Sequence, residues 1–364
     1  MTLHSLGWSE DFARSFEPYA AQGYRVGRVA IAHRSQYHLY TETGECNATL
    51  TGKFRHQTQS AEDFPAVGDW VAIHPQTETQ SALIEAVLPR KGQFSRQAAG
   101  TRHAAQIIAA NIDTLFLVSG LDHDFNLRRI ERYLVMAWQS GATPVIVLNK
   151  ADLCEAKGES LEEKIVAVEE VAIAVPIIAL SALQQNNIEA LAPYLQPGKT
   201  VALLGSSGVG KSTLTNQLMG SDVQATQAVR ADDSRGRHTT THREMLKLPS
   251  GALLVDTPGM RELQIWTADS SAEGTVEGTF SDIEALAMQC RFRNCQHGSE
   301  PGCAIQAAIE TGRLSAKRLN NYRKLQKEEA YQNRRQDKQA QSNAKARWKQ
   351  ITKTARKRRK NEPY

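Results

Sequence analysis

The sequence predicts a multi-domain α/β protein with three folded parts and a basic tail. Short β-like runs punctuated by glycines predict a small OB-like β-barrel over residues 23–95. Apolar runs of buried-strand length alternate with amphipathic helices over residues 105–273, which is the pattern of a mostly parallel α/β sheet. Residues 274–330 have a helical pattern that encloses several cysteines and a histidine, and residues 331–364 are polar and basic.

The barrel prediction depends on short runs rich in β-branched and aromatic residues. The strand candidates are Arg25–Ala32, Tyr37–Thr41, Asn47–Thr51 and Trp70–His74. Several short strands in one small segment are typical of an OB-fold, although an SH3-like barrel would show the same pattern.

The second part is predicted from longer apolar runs. The strand candidates are Thr114–Ser119, Pro144–Asn149, Val175–Ser181, Thr200–Gly205 and Ala252–Asp256. The amphipathic segments Leu127–Gln139 and Leu161–Val171 are the helices expected between them. Sheets of this kind bind ligands beyond the carboxyl ends of their strands, so motifs at those ends are the candidates for a binding site.

Composition limits the class of protein. The 364 residues allow two or three domains, and no apolar run reaches the roughly 20 residues that span a bilayer. Five cysteines, an odd number, and no export signal predict a cytoplasmic protein without a disulfide framework. The net charge is +5, but the segment from Arg323 onward holds 15 Lys and Arg against 4 Asp and Glu, which favours a polyanionic partner.

A phosphate-binding loop is expected at the end of the predicted strand Thr200–Gly205. Residues Gly205–Ser212 match G-x-x-x-x-G-K-S, and a helix is expected over Lys211–Met219. Glycines let successive N–H groups turn towards phosphate oxygens, and the helix presents its positive end to the same anion. Lys211 is predicted to reach the β- and γ-phosphates and Ser212 to bind Mg²⁺. The nucleotide-binding set is Gly205, Ser206, Ser207, Gly208, Val209, Gly210, Lys211, Ser212 and Thr213.

Further motifs indicate which nucleotide is bound. In Asn149-Lys150-Ala151-Asp152, the Asp152 carboxylate can accept hydrogen bonds from the ring imino and exocyclic amino groups of guanine, and adenine has neither donor at those positions. Lys150 can lay its stem on the ring and Asn149 can tie this loop to the phosphate loop. In Ser181-Ala182-Leu183, the Ala182 N–H can donate to the guanine keto oxygen. The first motif alone would also fit a helix cap or a surface turn.

Asp256 and Gly259 complete a D-x-x-G motif at the end of the last strand, suited to Mg²⁺ and the γ-phosphate. The base motifs precede the phosphate loop, so the domain is predicted to be a circularly permuted P-loop GTPase. In such a permuted chain the segment after Asp256 leads directly into the C-terminal part. Movement at the γ-phosphate could therefore pull on the C-terminal part.

The loop before Asp256 is the expected switch. Within Ser234–Arg243, Thr240 is predicted to sense Mg²⁺ and the γ-phosphate, with Thr241 as the alternative. Met260 stands where many GTPases orient water with a glutamine, and a thioether cannot do this. We therefore expect slow hydrolysis unless His238 orients the water, although His238 could instead contact phosphate or RNA.

The cysteine cluster predicts a structural zinc site. Cys290, Cys295, His297 and Cys303 lie within fourteen residues and supply three thiolates and one imidazole. This donor set closes a tetrahedral Zn²⁺ site, one per chain, with no position left for catalysis. Buried or free cysteines are the alternative.

Taken together, these motifs in this order resemble the RsgA (YjeQ) family of small ribosomal subunit biogenesis GTPases over roughly residues 25–330. The resemblance implies an OB-fold, a permuted GTPase domain and a zinc domain. It also implies binding to the small ribosomal subunit and its rRNA, and GTP hydrolysis stimulated by that subunit during late maturation. A hydrophobic residue at position 260 fits the family, whereas the tail after Leu325 has no counterpart in its motifs.

Three functions remain open from the sequence. The leading one is a GTPase that matures the small ribosomal subunit, with GTP and GDP as ligands, Mg²⁺ bound with GTP, no membrane association and a monomeric state. A GTP-sensing RNA-binding assembly chaperone without turnover is the alternative, which Met260 favours mildly. A P-loop ATPase or kinase with a zinc module is the third, and Asp152 speaks against it.

Overall fold

The computed structural model describes residues 2–33, 35–58, 60–76, 81–97, 105–220, 244–256, 276–298 and 300–331. Two sheets run through it: an 11-stranded sheet that joins a barrel to an α/β sheet, and a two-stranded ribbon between them in sequence. None of the described helices is both long and apolar enough to cross a membrane.

The N-terminal part is a closed five-stranded barrel. Its strands are β1 Arg25–Ala32, β2 Tyr37–Thr41, β3 Gly44–Leu50, β4 Trp70–Gln76 and β5 Ser81–Val87. They follow the order β1-β2-β3-β5-β4, and β4 pairs back to β1. The β3–β5 pair is parallel and the other pairs are antiparallel. This topology confirms the OB-like prediction. The barrel interior is apolar, and Val29, Leu39 and Ile84 are fully buried in it.

A helix that the sequence analysis missed covers this barrel. Helix α1 spans Glu10–Ala20, before the predicted start of the barrel. Trp8 and Phe12 pack against Trp70 of β4, with ring centroids 4.7 and 5.9 Å away. A short helix, α2 (Gly52–Gln57), follows β3. The ribbon of β6 (Gln93–Gln97) and β7 (Ala105–Ala110) then connects the barrel to the next part.

The central part is the predicted α/β sheet. Its strands are β8 Thr114–Gly120, β9 Thr143–Asn149, β10 Ile177–Ala179, β11 Thr200–Leu204, β12 Glu244–Lys247 and β13 Leu253–Asp256. The order is β10-β9-β8-β11-β13-β12, parallel except for β12. Its helices are α3 Leu127–Gln139, α4 Asp152–Lys157, α5 Leu161–Glu169 and α6 Lys211–Met219. Most residues of β8, β9 and β11 are buried, as expected for strands covered on both faces.

The barrel and the α/β sheet share hydrogen bonds at one edge. Strand β12 pairs with β1 at Glu244 and Ile31. The Tyr40 hydroxyl of β2 donates to the Met245 carbonyl at 2.9 Å. The edge strand of the α/β sheet is therefore covered by the protein's own barrel, which removes an exposed edge.

The C-terminal part is helical, as predicted. It contains α7 Val276–Thr279, α8 Ser281–Ala287, α9 Ala304–Glu310 and a last described helix, α10, over 316–331. Phe280, Ile283 and Ile305 are fully buried between these helices. Helix α10 also lies against α3, so the C-terminal part packs on the α/β sheet's own helix layer.

Candidate functional site

The phosphate loop joins β11 to α6, and its glycines are required by close approaches. A Cβ atom at Gly205 would lie 2.3 Å from the Val118 carbonyl oxygen of β8. At Gly210 it would lie 2.3 Å from Asn149 Nδ2, and Gly210 has a φ of +94°. These contacts hold the loop tightly against the neighbouring strand ends, where nucleotides bind in such sheets.

Lys211 begins α6 and turns back over the loop. Its Nζ donates to the Gly205 carbonyl at 2.8 Å and to the Ser206 carbonyl at 2.6 Å. Ser212 and Thr213 follow in the first turn of α6 and are half-buried. The ammonium group and the N-terminal end of α6 therefore lie at the same loop, an arrangement that favours a bound anion.

Asn149 connects three loops. It ends β9 and is 2% exposed. Its Nδ2 donates to the Val209 carbonyl of the phosphate loop at 2.7 Å, and its Oδ1 accepts from the Ala182 N–H at 2.9 Å. The base motif, the phosphate loop and the Ser181-Ala182-Leu183 loop thus meet at one side chain. The Ala182 N–H is expected from the sequence to donate to the guanine keto oxygen. In the structure it donates to Asn149 Oδ1, so Asn149 competes with guanine for this donor.

Lys150 has an acidic partner that the sequence analysis missed. Its φ is +66°, and its Nζ lies 2.6 Å from Asp122 Oδ2. Burial acts to raise the pKa of the Asp122 carboxyl, but hydrogen bonds from Lys150 and the Asp124 N–H hold it below its ordinary value. The ionised carboxylate therefore fixes the end of the Lys150 side chain.

Asp152 lies at the start of α4 with one side of its carboxylate unpaired. Its Oδ1 is buried and has no hydrogen-bond partner among the described residues. A buried carboxylate oxygen without a donor is costly, so this atom is suited to a ligand that brings N–H groups. Ser181 nearby is fully buried and its hydroxyl accepts from the Gln184 N–H at 3.2 Å, whereas Leu183 is 78% exposed.

The metal and switch residues are placed only in part. Asp256 ends β13, whose register with β11 pairs Val255 with Ala202, so the strand ends beside the phosphate loop. Gly259, His238 and Thr240 lie outside the described residues. Their predicted roles therefore stay predictions.

Replacing Asn149 by alanine tests whether it organises the site. The change leaves the Val209 carbonyl and the Ala182 N–H buried without a partner, at about 1–3 kcal/mol each. We expect GDP affinity, measured by titration calorimetry, to fall about 10- to 100-fold. Asn47→Ala, in the exposed part of β3, is the matched control and should bind GDP as the unchanged protein does. Equal affinities in both variants would show that Asn149 does not organise the site.

The four predicted metal ligands come together in the C-terminal part. The ligand atoms of Cys290, Cys295, His297 and Cys303 all lie within 4.8 Å of one another. Cys290 Sγ is 3.6 Å from His297 Nδ1 and 4.0 Å from Cys303 Sγ. Thiolates bound at about 2.3 Å around a tetrahedral Zn²⁺ are about 3.8 Å apart, so this cluster fits such an ion. Arg323 of α10 donates to the His297 carbonyl at 2.7 Å and supports the turn that carries the ligands.

Comparisons with known proteins agree with this geometry. A family model described as RsgA GTPase matches residues 87–266. A model described as ABC transporter matches residues 188–358, which contain the phosphate loop. The chain is 49% identical over 360 residues to the small ribosomal subunit biogenesis GTPase RsgA of Opitutus terrae, covering 96% of each chain. It is 47% identical to RsgA 2 of Lactiplantibacillus plantarum, covering 93% of this chain and 94% of that one.

Solved structures show the same architecture. The crystal structure of YjeQ from Thermotoga maritima is 30% identical, with a TM-score of 0.60 over 83% of this chain and 96% of that chain. A structure titled as the circularly permuted GTPase YloQ matches at 24% identity with a TM-score of 0.58, and it supports the fold alone. The permuted order inferred from the motifs is therefore shared with a solved structure of that description.

Proposed function

The chain belongs to the RsgA family of GTPases, and on that premise we propose that its GTP hydrolysis serves the maturation of the small ribosomal subunit. The partner comes from the names of the relatives, which are small ribosomal subunit biogenesis GTPases. The observation in this chain that supports the nucleotide part most directly is the Asn149 side chain, which joins the base motif to the phosphate loop.

Each residue at the site has a proposed role in this function. The Asp152 carboxylate accepts the two guanine N–H groups, one of them at its unpaired Oδ1, and Lys150 covers the ring while Asp122 holds its ammonium. Lys211 moves from the loop carbonyls to the β- and γ-phosphates, and Ser212 binds Mg²⁺. Mg²⁺ supplies charge neutralisation of the phosphates when it is bound with GTP.

The residues outside the phosphate and base loops also have proposed roles. Thr240 and Gly259 would sense the γ-phosphate, Asp256 would hold Mg²⁺ through water, and His238 would orient the attacking water. The Cys/His cluster would bind one structural Zn²⁺, since all four positions are filled by protein ligands. The basic segment after Arg323 would contact rRNA. The protein would act as a cytoplasmic monomer.

The deciding experiment measures multiple-turnover phosphate release alone, with small subunits, and with large subunits. We expect small subunits to raise the rate at least about tenfold, because partners that complete a GTPase site raise rates by up to about 10³–10⁵-fold. Large subunits should have little effect. A rate that is near zero in every case would support the GTP-sensing chaperone instead and would contradict this proposal.

A competition measurement separates GTP from ATP. Adenine has no donors for the Asp152 carboxylate, so its buried oxygen would stay unpaired in an ATP complex. We expect about a 100-fold excess of ATP to leave bound fluorescent GTP in place, since such sites discriminate by about 10⁴–10⁵-fold. Displacement by ATP at the concentrations at which unlabelled GTP displaces it would favour an ATPase or kinase.

A further inference from the structure

A polar cluster supports the phosphate loop from the side of α3. Arg129, in the first turn of α3, has its Nη1 2.5 Å from Asp124 Oδ2 and 2.7 Å from the Ser206 hydroxyl. The Ser206 hydroxyl in turn donates to Asp124 Oδ2. Ser206 is the second residue of the phosphate loop, so three side chains from two distant parts of the chain close one triangle of hydrogen bonds at the loop.

The triangle is connected to the residue that is proposed to bind the phosphates. The Ser206 side chain points to α3, while its carbonyl oxygen accepts from Lys211 Nζ at 2.6 Å. The Arg129 and Asp124 side chains are about a third and a quarter exposed, respectively. Their charges cancel, so the pair adds no net charge to the phosphate site. What it supplies is orientation of Ser206 and, before the nucleotide binds, of the Lys211 ammonium that donates to the Ser206 carbonyl.

The C-terminal part contacts the next turn of α3 through helix α10. Glu131 is fully buried and accepts from Arg318 Nη1 at 2.6 Å and from Asn321 Nδ2 at 2.6 Å, both on α10. Arg318 also makes two hydrogen bonds to Asp282 of α8, at 2.9 and 2.8 Å. A buried carboxylate of this kind holds its partners firmly, because losing one leaves a charge without compensation.

A helix is stiff over two turns, so the two contacts are mechanically joined. Arg129 and Glu131 are two residues apart on α3, and the Arg128 side chain braces Glu131 at 2.7 Å. The Asn126 side chain caps the same end of the helix by accepting from the Arg128 N–H at 2.9 Å. A displacement of α10 that moves Glu131 would therefore also move Arg129 and change its contact with Ser206.

We propose that α3 is the link through which docking of the C-terminal helices sets the phosphate loop, with Asp124 and Arg129 as positioning residues. This deepens the proposed function and rests on it, because it assigns a route by which a partner bound to the C-terminal part would change GTP binding. It differs from the covalent route after Asp256, since it passes through side-chain contacts that the described residues show.

The first test is made on nucleotide binding and turnover without ribosomes. Arg129→Ala should raise the KM for GTP and the Kd for fluorescent GDP about 5- to 20-fold, with a smaller change in kcat, because the loop is loosened before substrate binds. Arg129→Lys should recover most of the loss, since one nitrogen of Arg129 makes both contacts and an ammonium can replace it. Arg14→Ala, which breaks a similar Arg–Asp pair on α1, is the matched control and should change neither value.

The second test is a double-mutant cycle. Asn321→Ala removes one of the α10 contacts to Glu131. As a single substitution it should raise the Kd for GDP about two- to fivefold. In the Arg129→Ala background it should add nothing further, because the link is already broken. Multiplicative effects of the two changes, or no effect of Arg129→Ala on Kd, would overturn the proposal. GDP binding by the unchanged protein, with no response of hydrolysis to ribosomal subunits, would overturn only the proposed function.

Discussion

Asp152→Asn is expected to lower the affinity for GTP by about 10²–10⁴-fold and to raise the affinity for xanthosine triphosphate. The carboxylate at this position has a buried Oδ1 with no partner among the described residues, and guanine would bring two N–H donors to it. Hydrogen bonds to a charged group contribute about 1.5–3 kcal/mol each, which gives the size of the loss. An asparagine presents one donor and one acceptor, which matches the keto group and ring N–H of xanthine. Both affinities can be measured by displacement of fluorescent nucleotides.

Asp122→Asn is the informative control for this change. Asp122 holds the Lys150 ammonium at 2.6 Å and does not carry the unpaired oxygen. Weakening it should reduce the affinity for GTP and xanthosine triphosphate alike, by about two- to tenfold. A gain in xanthosine triphosphate binding by Asp122→Asn, or none by Asp152→Asn, would mean that Asp152 does not read the base.

The elements predicted correctly are those whose signal is local. Strands β1 and β2 and helix α3 have the bounds that the sequence predicts, because turn residues and a clear period delimit them. The predicted strand Val175–Ser181 is shorter, since β10 spans only Ile177–Ala179. Pro176 has no N–H to give to a ladder, and Ser181 instead forms a narrow turn with Asn186.

Most of the features that the sequence does not predict depend on contacts between distant parts of the chain. Helix α1 is the exception, since Trp8, Phe12 and Phe16 recur at helical spacing and give it a local signal. The pairing of β12 with β1 joins residues more than 200 positions apart, and no local sequence pattern predicts it. The barrel, the permuted sheet and the helical C-terminal part were predictable separately, whereas their arrangement required the structure.

The same distinction applies to the site. The phosphate loop and the Cys/His cluster are contiguous motifs, so their residue types and spacing are visible in the sequence. Asp122, Asp124 and Arg129 were missed, because their partners Lys150 and Ser206 are tens of residues away. The one available signal was the pair of aspartates directly after β8, at the sheet edge where ligands bind.

If the Cys/His cluster binds Zn²⁺ as proposed, Cys303→Ser is expected to remove the zinc and unfold the C-terminal part. Cys303 is buried at the start of α9, and its Sγ lies 3.8 Å from His297 Nδ1. Structural zinc contributes about 10–16 kcal/mol in zinc-finger peptides, which is comparable to the whole stability of a typical domain. Zinc content per chain should fall from one to near zero, and proteolysis should begin between α8 and α9. Cys46→Ser, a half-buried cysteine in β3, is the matched control and should keep its zinc.

Loss of the metal should also weaken nucleotide binding. The C-terminal helices carry Arg318 and Asn321, which hold Glu131 on α3, so their unfolding releases the contact that stabilises the phosphate loop. We therefore expect Cys303→Ser, or treatment with a strong chelator, to weaken GDP binding at least as much as Asn321→Ala does. The α/β sheet itself should remain folded, because its core strands are buried against their own helices. Retention of one zinc with an unchanged unfolding midpoint would contradict the metal assignment, whereas loss of zinc with unchanged GDP affinity would contradict the link through α3.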